Sequence, residues 1–295
     1  ELLTVGADGT IVSRSRPKPI AISDVANGPA GDPPPRTGMV LAEAAVAWRM
    51  QALLDGSIML LHERASTGMI DTRRPGGYGG GGCKGAGIVS GALTHMGPSG
   101  EVASGPTLPF VGYAVDAAVS RDGKQIAVVT PSLGTPGRTP GSSVMLLSPG
   151  DLHPPNPCSV FPAAMPTPVQ PGGFEAIAVA FDGSGRVVVQ ARQPAGLMVG
   201  SSFVAFDRAE DVSNSGHRLF HTATAGASIA CAACHPEAGD DGRVWNFAPI
   251  GPRRTQSLRG GILATAPFHW DGDMTDMKKL MRDVFTGRMS GENLS

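Results

Sequence analysis

Short apolar runs separated by tight turns dominate the first two thirds of the chain. The runs alternate apolar with polar residues or are rich in β-branched residues, which is typical of β-strands. Four times, one run, an Asp-Gly pair and a second run follow one another, and glycine supplies the positive φ that a hairpin turn needs. The four predicted hairpins span residues 3–12, 52–61, 117–129 and 177–189.

The spacing of these turns indicates a repeat. Asp8, Asp55, Asp122 and Asp182 are separated by 47, 67 and 60 residues, close to the roughly 40 to 50 residues of a propeller blade once longer loops are allowed. This part resembles bacterial β-propellers with an apolar-Asp-Gly-apolar blade pattern, and an irregular β-sandwich is the alternative. Four turns give at most four blades, whereas about six or seven commonly close the ring. We therefore expect further blades upstream of Glu1 or in a second polypeptide.

Composition and charge narrow the functional classes. Gly 41 and Pro 26 together make 67 of 295 residues, and only 17% are charged, which excludes a coiled coil. The net charge is −1, and without a dense basic cluster we expect no binding to nucleic acid or to an anionic membrane surface. The most apolar stretch, residues 39–48, contains Glu43 and is shorter than the roughly 20 residues of a membrane span. The chain begins with Glu1 and has no leader pattern, so we expect a processed chain or a piece of a longer one.

The strongest chemical signal is the sequence Cys231-Ala-Ala-Cys234-His235. Two thiols three positions apart can each add to a vinyl group of one haem, and the adjacent imidazole can then ligate the iron. Zinc is one alternative, but it needs a second ligand pair at matching spacing. A thioredoxin-like dithiol is another, and it needs a strand before the motif and a helix after it. The motif therefore predicts one covalent haem c.

The other two cysteines, Cys83 and Cys158, form a candidate disulfide. Haem attachment through thioethers takes place on the outer side of a membrane, where the compartment is oxidising. We therefore expect a periplasmic or exported bacterial protein. Two unpaired thiols are the alternative.

The last part of the chain has a different pattern. An apolar helical signal begins at Gly216, the haem motif follows, and Thr275–Phe285 is amphipathic. This order of elements is that of a cytochrome c fold. We therefore predict a mainly β region of propeller-like repeats over residues 1–212, followed by a small all-α cytochrome c domain over residues 213–295.

Three ordered motifs carry a more specific resemblance. They are Arg253-Arg-Thr-Gln-Ser-Leu-Arg-Gly260, Thr265-Ala-Pro-Phe-His-Trp-Asp-Gly272 and Arg288-Met-Ser-Gly291. The segment resembles the C-terminal haem domain of the bacterial di-haem cytochrome c peroxidase superfamily. The resemblance implies an electron-transfer haem whose iron is ligated by His235 and Met289. His269 is the rival sixth ligand, and more distant candidates are Met274, Met277 and Met281.

Further residues complete the expected site. Arg254 is expected to hydrogen-bond a haem propionate, because a carboxylate beside an apolar ring favours a bidentate cation. Phe268 is expected to pack on the porphyrin, as are Trp245 and Trp270. The acidic pair before Gly242 is expected to form a turn without a catalytic role.

These residues favour electron transfer through a single haem. A peroxidase of this superfamily needs a second haem, and the chain has one attachment motif, so we expect no peroxidase activity from this chain alone. The alternative is an oxidoreductase in which the haem relays electrons from a second cofactor or chain, such as a quinone-containing enzyme. A binding or scaffold role is a third reading, because propellers also present loop-lined faces to partners. The expected partners are a redox protein and a second chain that completes the propeller and cytochrome domain.

Overall fold

The computed structural model describes residues 1–23, 38–73, 77–79, 83, 87–108, 111–132, 141–158, 167–168, 174–206, 214–224 and 226–292. Within these ranges the chain forms eighteen strands and a few short helices. The expectation of a mainly β protein is therefore confirmed.

The first strands form a hairpin and a five-stranded sheet. The hairpin consists of β1 (Leu2–Val5) and β2 (Ile11–Ser15). The sheet is antiparallel, in the order β3 (Ile20–Ser23), β4 (Met39–Ala52), β5 (Ile58–Ser66), β7 (Val89–Met96) and β8 (Val102–Thr107). A short strand outside this sheet, β6 (Met69–Asp71), follows β5. Because β5 is central, its side chains are buried on both faces, and Met59 and Leu61 enter a core with Leu93 and Ile126.

Two four-stranded antiparallel sheets follow, and in each one every strand pairs with the next along the chain. The first contains β9 (Asp116–Val119), β10 (Ile126–Thr130), β11 (Ser143–Leu147) and β12 (Thr167–Pro168). The second contains β13 (Ala176–Phe181), β14 (Val187–Ala191), β15 (Gly196–Val199) and β16 (Ser202–Ala205). Val129 of the first sheet and Val189 of the second belong to one buried cluster.

All four predicted hairpins are present, and three turn where the Asp-Gly pairs predict. Gly9, Gly56 and Gly123 have φ values of 83°, 82° and 70°. In the fourth turn the positive φ is at Gly185, two residues later than predicted. The reason is the Asp182 carboxylate, which accepts hydrogen bonds from the backbone N–H groups of Ser184 and Arg186 and so stabilises a longer loop.

The predicted disulfide between Cys83 and Cys158 is confirmed, with a separation of 75 residues. It packs with Ile20 and Ile22 of β3 and with Ala42 of β4. The bridge therefore joins Cys83 to Cys158 where both pack against the β3 edge of the five-stranded sheet.

The C-terminal part combines short helices with strands. The helices are α1 (Ser215–His221), α2 (Cys231–Cys234) and α3 (Met277–Leu280), and α3 continues as a π-helix over Met281–Arg288. Between them lies an antiparallel hairpin of β17 (Val244–Ala248) and β18 (Gly251–Arg254). β17 also pairs in parallel with β6. The expected helices near residues 216 and 275–285 are therefore present, together with a hairpin that was not predicted. In the ranges given above, no helix has the length and apolar character needed to cross a membrane.

Candidate functional site

The Cys-Ala-Ala-Cys-His motif forms a single helical turn and its end. Cys231 and Cys234 open and close α2, and both thiols are free. Because residues three apart are neighbours on a helix, the turn brings the two side chains to one side. His235 follows with φ −117° and ψ 60°, and its backbone N–H donates to the Cys231 carbonyl oxygen.

Apolar side chains surround the two thiols. Cys231 and Cys234 are partly buried against a core cluster to which the β region and the C-terminal part both contribute. The buried aromatic residues of this cluster are Trp245, Phe247 and Phe285. The alanines between the cysteines are fully buried and hold the turn in place.

The pKa values of the two thiols do not favour a redox-active dithiol. Burial raises the pKa of Cys231 to about 11 and raises that of Cys234 well above its usual value, with Asp241 contributing to the latter. Redox-active thiols in thioredoxin-like sites have a lowered pKa instead. No strand directly precedes α2, so the context expected of that alternative is also missing.

The imidazole of His235 is largely buried next to α2. Burial lowers its pKa, which favours the neutral ring. Its Nδ1 atom lies 3.4 Å from the Gly239 carbonyl oxygen, and the Gln256 backbone is a second hydrogen-bond partner of the ring.

Of the two proposed sixth ligands, Met289 lies in the same core as the cysteines. It is 4% exposed and belongs to the cluster that contacts Cys231 and Cys234. Its position is fixed through the backbone, because Thr224 Oγ1 donates to the Met289 carbonyl oxygen and the Met289 N–H donates to Val284.

His269 is engaged elsewhere. Its Nδ1 atom lies 2.9 Å from Asp273 Oδ1, and its Nε2 atom lies 3.0 Å from an Arg288 nitrogen. Both ring nitrogens therefore have partners. Met274 is buried, and its backbone pairs with Phe268 in an isolated bridge. Met281 also packs against the cluster that contacts the two cysteines, so the cluster separates Met289 and Met281 from His269 and Met274.

Three residues that were expected to contact the haem lie at different depths in the structure. Arg254 is two-thirds exposed and pairs with Asp240 at 3.1 Å. Phe268 is half-buried beside its bridge to Met274. Trp270 packs on Phe247 at 4.8 Å between ring centroids, in contact with the core that contains the thiols.

Trp245 is held by hydrogen bonds as well as by packing. Its Nε1–H donates to Asp241 and to Thr255, both at 3.1 Å. Asp240 accepts from the Gly242 backbone and Asp241 from that of residue 243. The expected turn at the acidic pair is therefore confirmed.

A buried carboxylate near the motif was not predicted. Glu63, in the middle of β5, is fully buried, and its Oε1 accepts from Trp48 Nε1 at 3.2 Å. Its Oε2 has no partner among the residues described. Burial, with a smaller contribution from Asp241, raises the pKa of Glu63 well above 4.5.

Glu63 could have been noticed in the sequence because His62, Glu63 and Arg64 are three polar residues in a row inside an otherwise apolar strand. His62 and Arg64 point to the opposite face, because side chains alternate along a strand. There His62 bonds Thr94, and Arg64 donates to Thr107 and to the Gly105 carbonyl oxygen. Glu63 alone faces the core on the side of α2.

Replacing Glu63 by Gln is expected to change how stability depends on pH. With its raised pKa in the folded state, Glu63 contributes stability fully below its unfolded pKa of about 4.5 and loses it as pH rises through the folded pKa. Thermal unfolding from about pH 4 to about pH 8 should therefore show a smaller loss of stability for E63Q than for the wild type. Gln keeps an acceptor for Trp48.

The matched control is Glu101→Gln, because Glu101 is exposed and its pKa is lowered, mainly by its bond to Ser99. The E101Q variant should lose as much stability between about pH 4 and about pH 8 as the wild type does. A parallel pH profile for E63Q and the wild type would contradict the assignment of Glu63 as a buried neutral acid.

The chain has no recognised sequence family and a weak similarity to a solved structure. The chain matches no protein-family model. It has no match among curated proteins. Among solved structures it is similar to the periplasmic gluconolactonase PpgL of Pseudomonas aeruginosa, with 12% identity and a TM-score of 0.30. That match covers 64% of this chain and 55% of the other.

The resemblance to the haem domain of the di-haem cytochrome c peroxidase superfamily is wrong. No family model supports it. The segment is also not purely helical. It contains the hairpin of β17 and β18, and β17 pairs in parallel with β6 of the β region. No group of three or more His, Cys, Asp or Glu side chains able to hold a metal lies within the described ranges. The three short motifs do not identify the family, because their Arg, Pro, Asp and Gly residues also form ordinary hairpins and turns.

Proposed function

We propose that the chain is a periplasmic or exported haem c protein that transfers electrons through one covalently bound haem. Cys231 and Cys234 would form the two thioethers, and His235 and Met289 would ligate the iron. The observation that carries this proposal is that two free thiols and a buried thioether meet in one apolar cluster, next to a neutral imidazole.

The donor set fits the group. Two thioether bonds and an imidazole-thioether pair are the ligation typical of cytochromes c. A free cysteine pair at this spacing is also what attachment requires. The surrounding Trp245, Phe247 and Phe285 can line an apolar ring, and Arg254 is exposed enough to reach a propionate.

A bound haem supplies one-electron chemistry at its iron. The chain's own residues would set how easily the electron is taken up. Burial would keep the His235 ring neutral, because it lowers the pKa of the imidazole more than the hydrogen bond to Gly239 raises it. Thr224 holds the backbone of Met289 so that its sulfur stays in the core. The apolar cluster excludes water, which with the methionine sulfur favours the reduced state.

The proposal is tested by producing the chain as an exported protein in a bacterium with haem-attachment machinery. We expect one haem per chain that survives denaturation, with the absorption spectrum of a low-spin c-type haem. Protein recovered without covalent haem under these conditions would overturn the proposal.

Replacing Met289 by Ala is expected to lower the reduction potential and to abolish the methionine-to-ferric-iron charge-transfer band. The physical reason is that the soft thioether stabilises ferrous iron. Potentiometric titration followed by optical spectroscopy measures both effects.

Met274→Ala is the control, because Met274 is as buried as Met289 but lies outside the cluster around the thiols. It should cost stability and leave the potential nearly unchanged. If both variants shift the potential equally, or if neither does, Met289 is not the ligand.

We further propose that the β region is propeller-like and that a domain boundary falls near residue 212. The two successive four-stranded antiparallel sheets support this, because such a sheet is the unit of a propeller blade. A second chain completing the ring and a redox partner protein are the proposed partners. The Cys83–Cys158 disulfide supports an oxidising compartment.

A second candidate function is that of an oxidoreductase whose haem takes electrons from another cofactor or substrate. A large cavity between the β region and the C-terminal part favours it.

A further inference from the structure

A cavity of about 1450 Å³ lies between the β region and the C-terminal part. Its walls come from β4, from the segment before β9, from the start of β13 and the residues before it, from α1 and from the end of the π-helix. Typical ligand pockets measure roughly 300 to 1,000 Å³. The cavity therefore has room for more than a single small ring.

Aromatic side chains form much of the wall. Trp48 and Tyr113 meet edge to face with ring centroids 5.1 Å apart, and Phe174, Phe220 and Phe285 line other parts. Aromatic faces and edges favour flat aromatic partners, through stacked and T-shaped contacts. The wall chemistry thus points to a planar ligand.

Two histidines one helical turn apart add polar groups. His217 and His221 of α1 both line the cavity, and their rings lie 4.2 Å apart. His221 Nδ1 lies 2.8 Å from the His217 carbonyl oxygen, so Nδ1–H donates and Nε2 is left as an acceptor. Nε2 has no hydrogen-bond partner in the part of the chain that the structure describes. The His221 ring can therefore accept a hydrogen bond from a ligand hydroxyl.

The charges around the cavity do not favour an anion. Glu175 is paired with Arg192 at 3.0 Å. Of the other lining residues, Glu237 and Glu292 carry negative charge and Arg218 carries positive charge. Acidic groups are therefore in excess, and a neutral ligand is better tolerated than a carboxylate or phosphate.

We propose that this cavity binds a neutral, planar aromatic compound that bears a hydroxyl group, of the fused-ring phenol or hydroquinone class. The aromatic walls hold the ring system, and His221 accepts the hydroxyl proton in a hydrogen bond. Binding itself does not depend on the haem.

The position of the cavity gives the ligand a role that does rest on the proposed function. Phe285 and Ser290, on either side of Met289 in the sequence, line the cavity, and so does Glu237, two residues after His235. Segments next to both proposed iron ligands thus form its wall. A hydroquinone bound there would become the quinone by giving two electrons to the haem iron, one at a time, with the iron passing each one on to the redox partner. Its two protons would go to His221 Nε2 and to water.

The test is isothermal titration calorimetry on the full chain with three probes. They are 2-naphthol, its saturated counterpart 2-decalinol, and the anion 2-naphthoate. We expect 2-naphthol to bind at least about tenfold more tightly than either of the other two, because only it is both flat and neutral.

Two variants locate the binding. His221→Phe keeps a ring and removes the acceptor, and it should weaken 2-naphthol binding by about tenfold, as expected for one lost hydrogen bond. Ile177→Trp places a bulky ring into the cavity from the wall and should abolish binding without touching the histidines. Circular dichroism and thermal unfolding verify that both variants fold.

His153→Phe is the matched control, because His95 and His153 form a similar histidine pair, with ring centroids 4.5 Å apart, outside the cavity. This variant should bind 2-naphthol as the wild type does. Equal affinity for all three probes, no binding by folded protein, or binding unaffected by Ile177→Trp would overturn the proposal. Protein that binds 2-naphthol but lacks haem refutes only the proposed function, and protein with haem that binds no 2-naphthol refutes only this inference.

Discussion

A chain in which Cys231 and Cys234 are both replaced by Ala is expected to carry no covalently bound haem. Each thiol can form one thioether, and these are the two free cysteines of the sequence, since the other two are bonded to each other. Denaturing electrophoresis with a haem stain and intact mass spectrometry measure the result directly. Because attachment is all or none for the double variant, this is the largest effect predicted for the protein.

The single variants sharpen this prediction. Cys231→Ala and Cys234→Ala should each retain one thioether, with a shifted reduced absorption band because one vinyl group stays unsaturated. The matched control is the double replacement Cys83→Ser and Cys158→Ser, which removes the same number of cysteines but should keep the haem. Covalent haem in the Cys231→Ala, Cys234→Ala chain would show that the motif is not the attachment site.

Local features of the fold could be predicted because few residues determine them. An Asp-Gly pair between two apolar runs specifies a hairpin through the glycine's positive φ, and Gly9 and Gly56 have it. The disulfide followed from counting, since the motif left only Cys83 and Cys158 to pair. The turn at Asp182 shows the limit of such rules, because the carboxylate's own hydrogen bonds moved the positive φ to Gly185.

Contacts between distant segments had no signal in the sequence. The parallel pairing of Met69–Asp71 with residues 246–248 joins strands more than 170 residues apart, and three-residue strands carry too short a pattern to identify. The same holds for Glu63, whose unpaired oxygen results from how β4, β5 and α2 pack together. Burial of this kind depends on the tertiary structure.

The site itself was partly predictable. The spacing of the Cys-x-x-Cys-His motif is a chemical constraint, so it could be recognised without the fold. Met289 was chosen from a resemblance that proved wrong, and as a ligand it stays a prediction, although it lies buried in the cluster that contacts both thiols. Arg254 depended on the same resemblance, and it lies exposed against Asp240. Short motifs rich in turn-forming residues do not determine which side chains face a cofactor.

Removing the disulfide by the double replacement Cys83→Ser and Cys158→Ser is expected to destabilise the protein by about 4 kcal/mol. The bridge closes a loop over a separation of 75 residues, and the entropy that it removes from the unfolded chain grows with loop length. The bridge also packs against β3 and β4, so its loss removes apolar contacts at this edge of the five-stranded sheet. Urea unfolding of the oxidised wild type and the variant, in the same state of haem attachment, measures the difference.

Reduction of the wild type provides an internal control for this prediction. A reductant should lower the urea midpoint of the wild type to that of the double variant and should leave the variant unchanged, because Cys231 and Cys234 contribute no disulfide. The Thr107 hydroxyl lies 3.3 Å from the Cys83 sulfur and can donate to it, and a serine oxygen at position 83 can accept the same hydrogen bond, so the substitution tests mainly the covalent link. A difference below about 1 kcal/mol would mean that the unfolded chain is already restricted in this region, and the entropic account of the bridge would then be wrong.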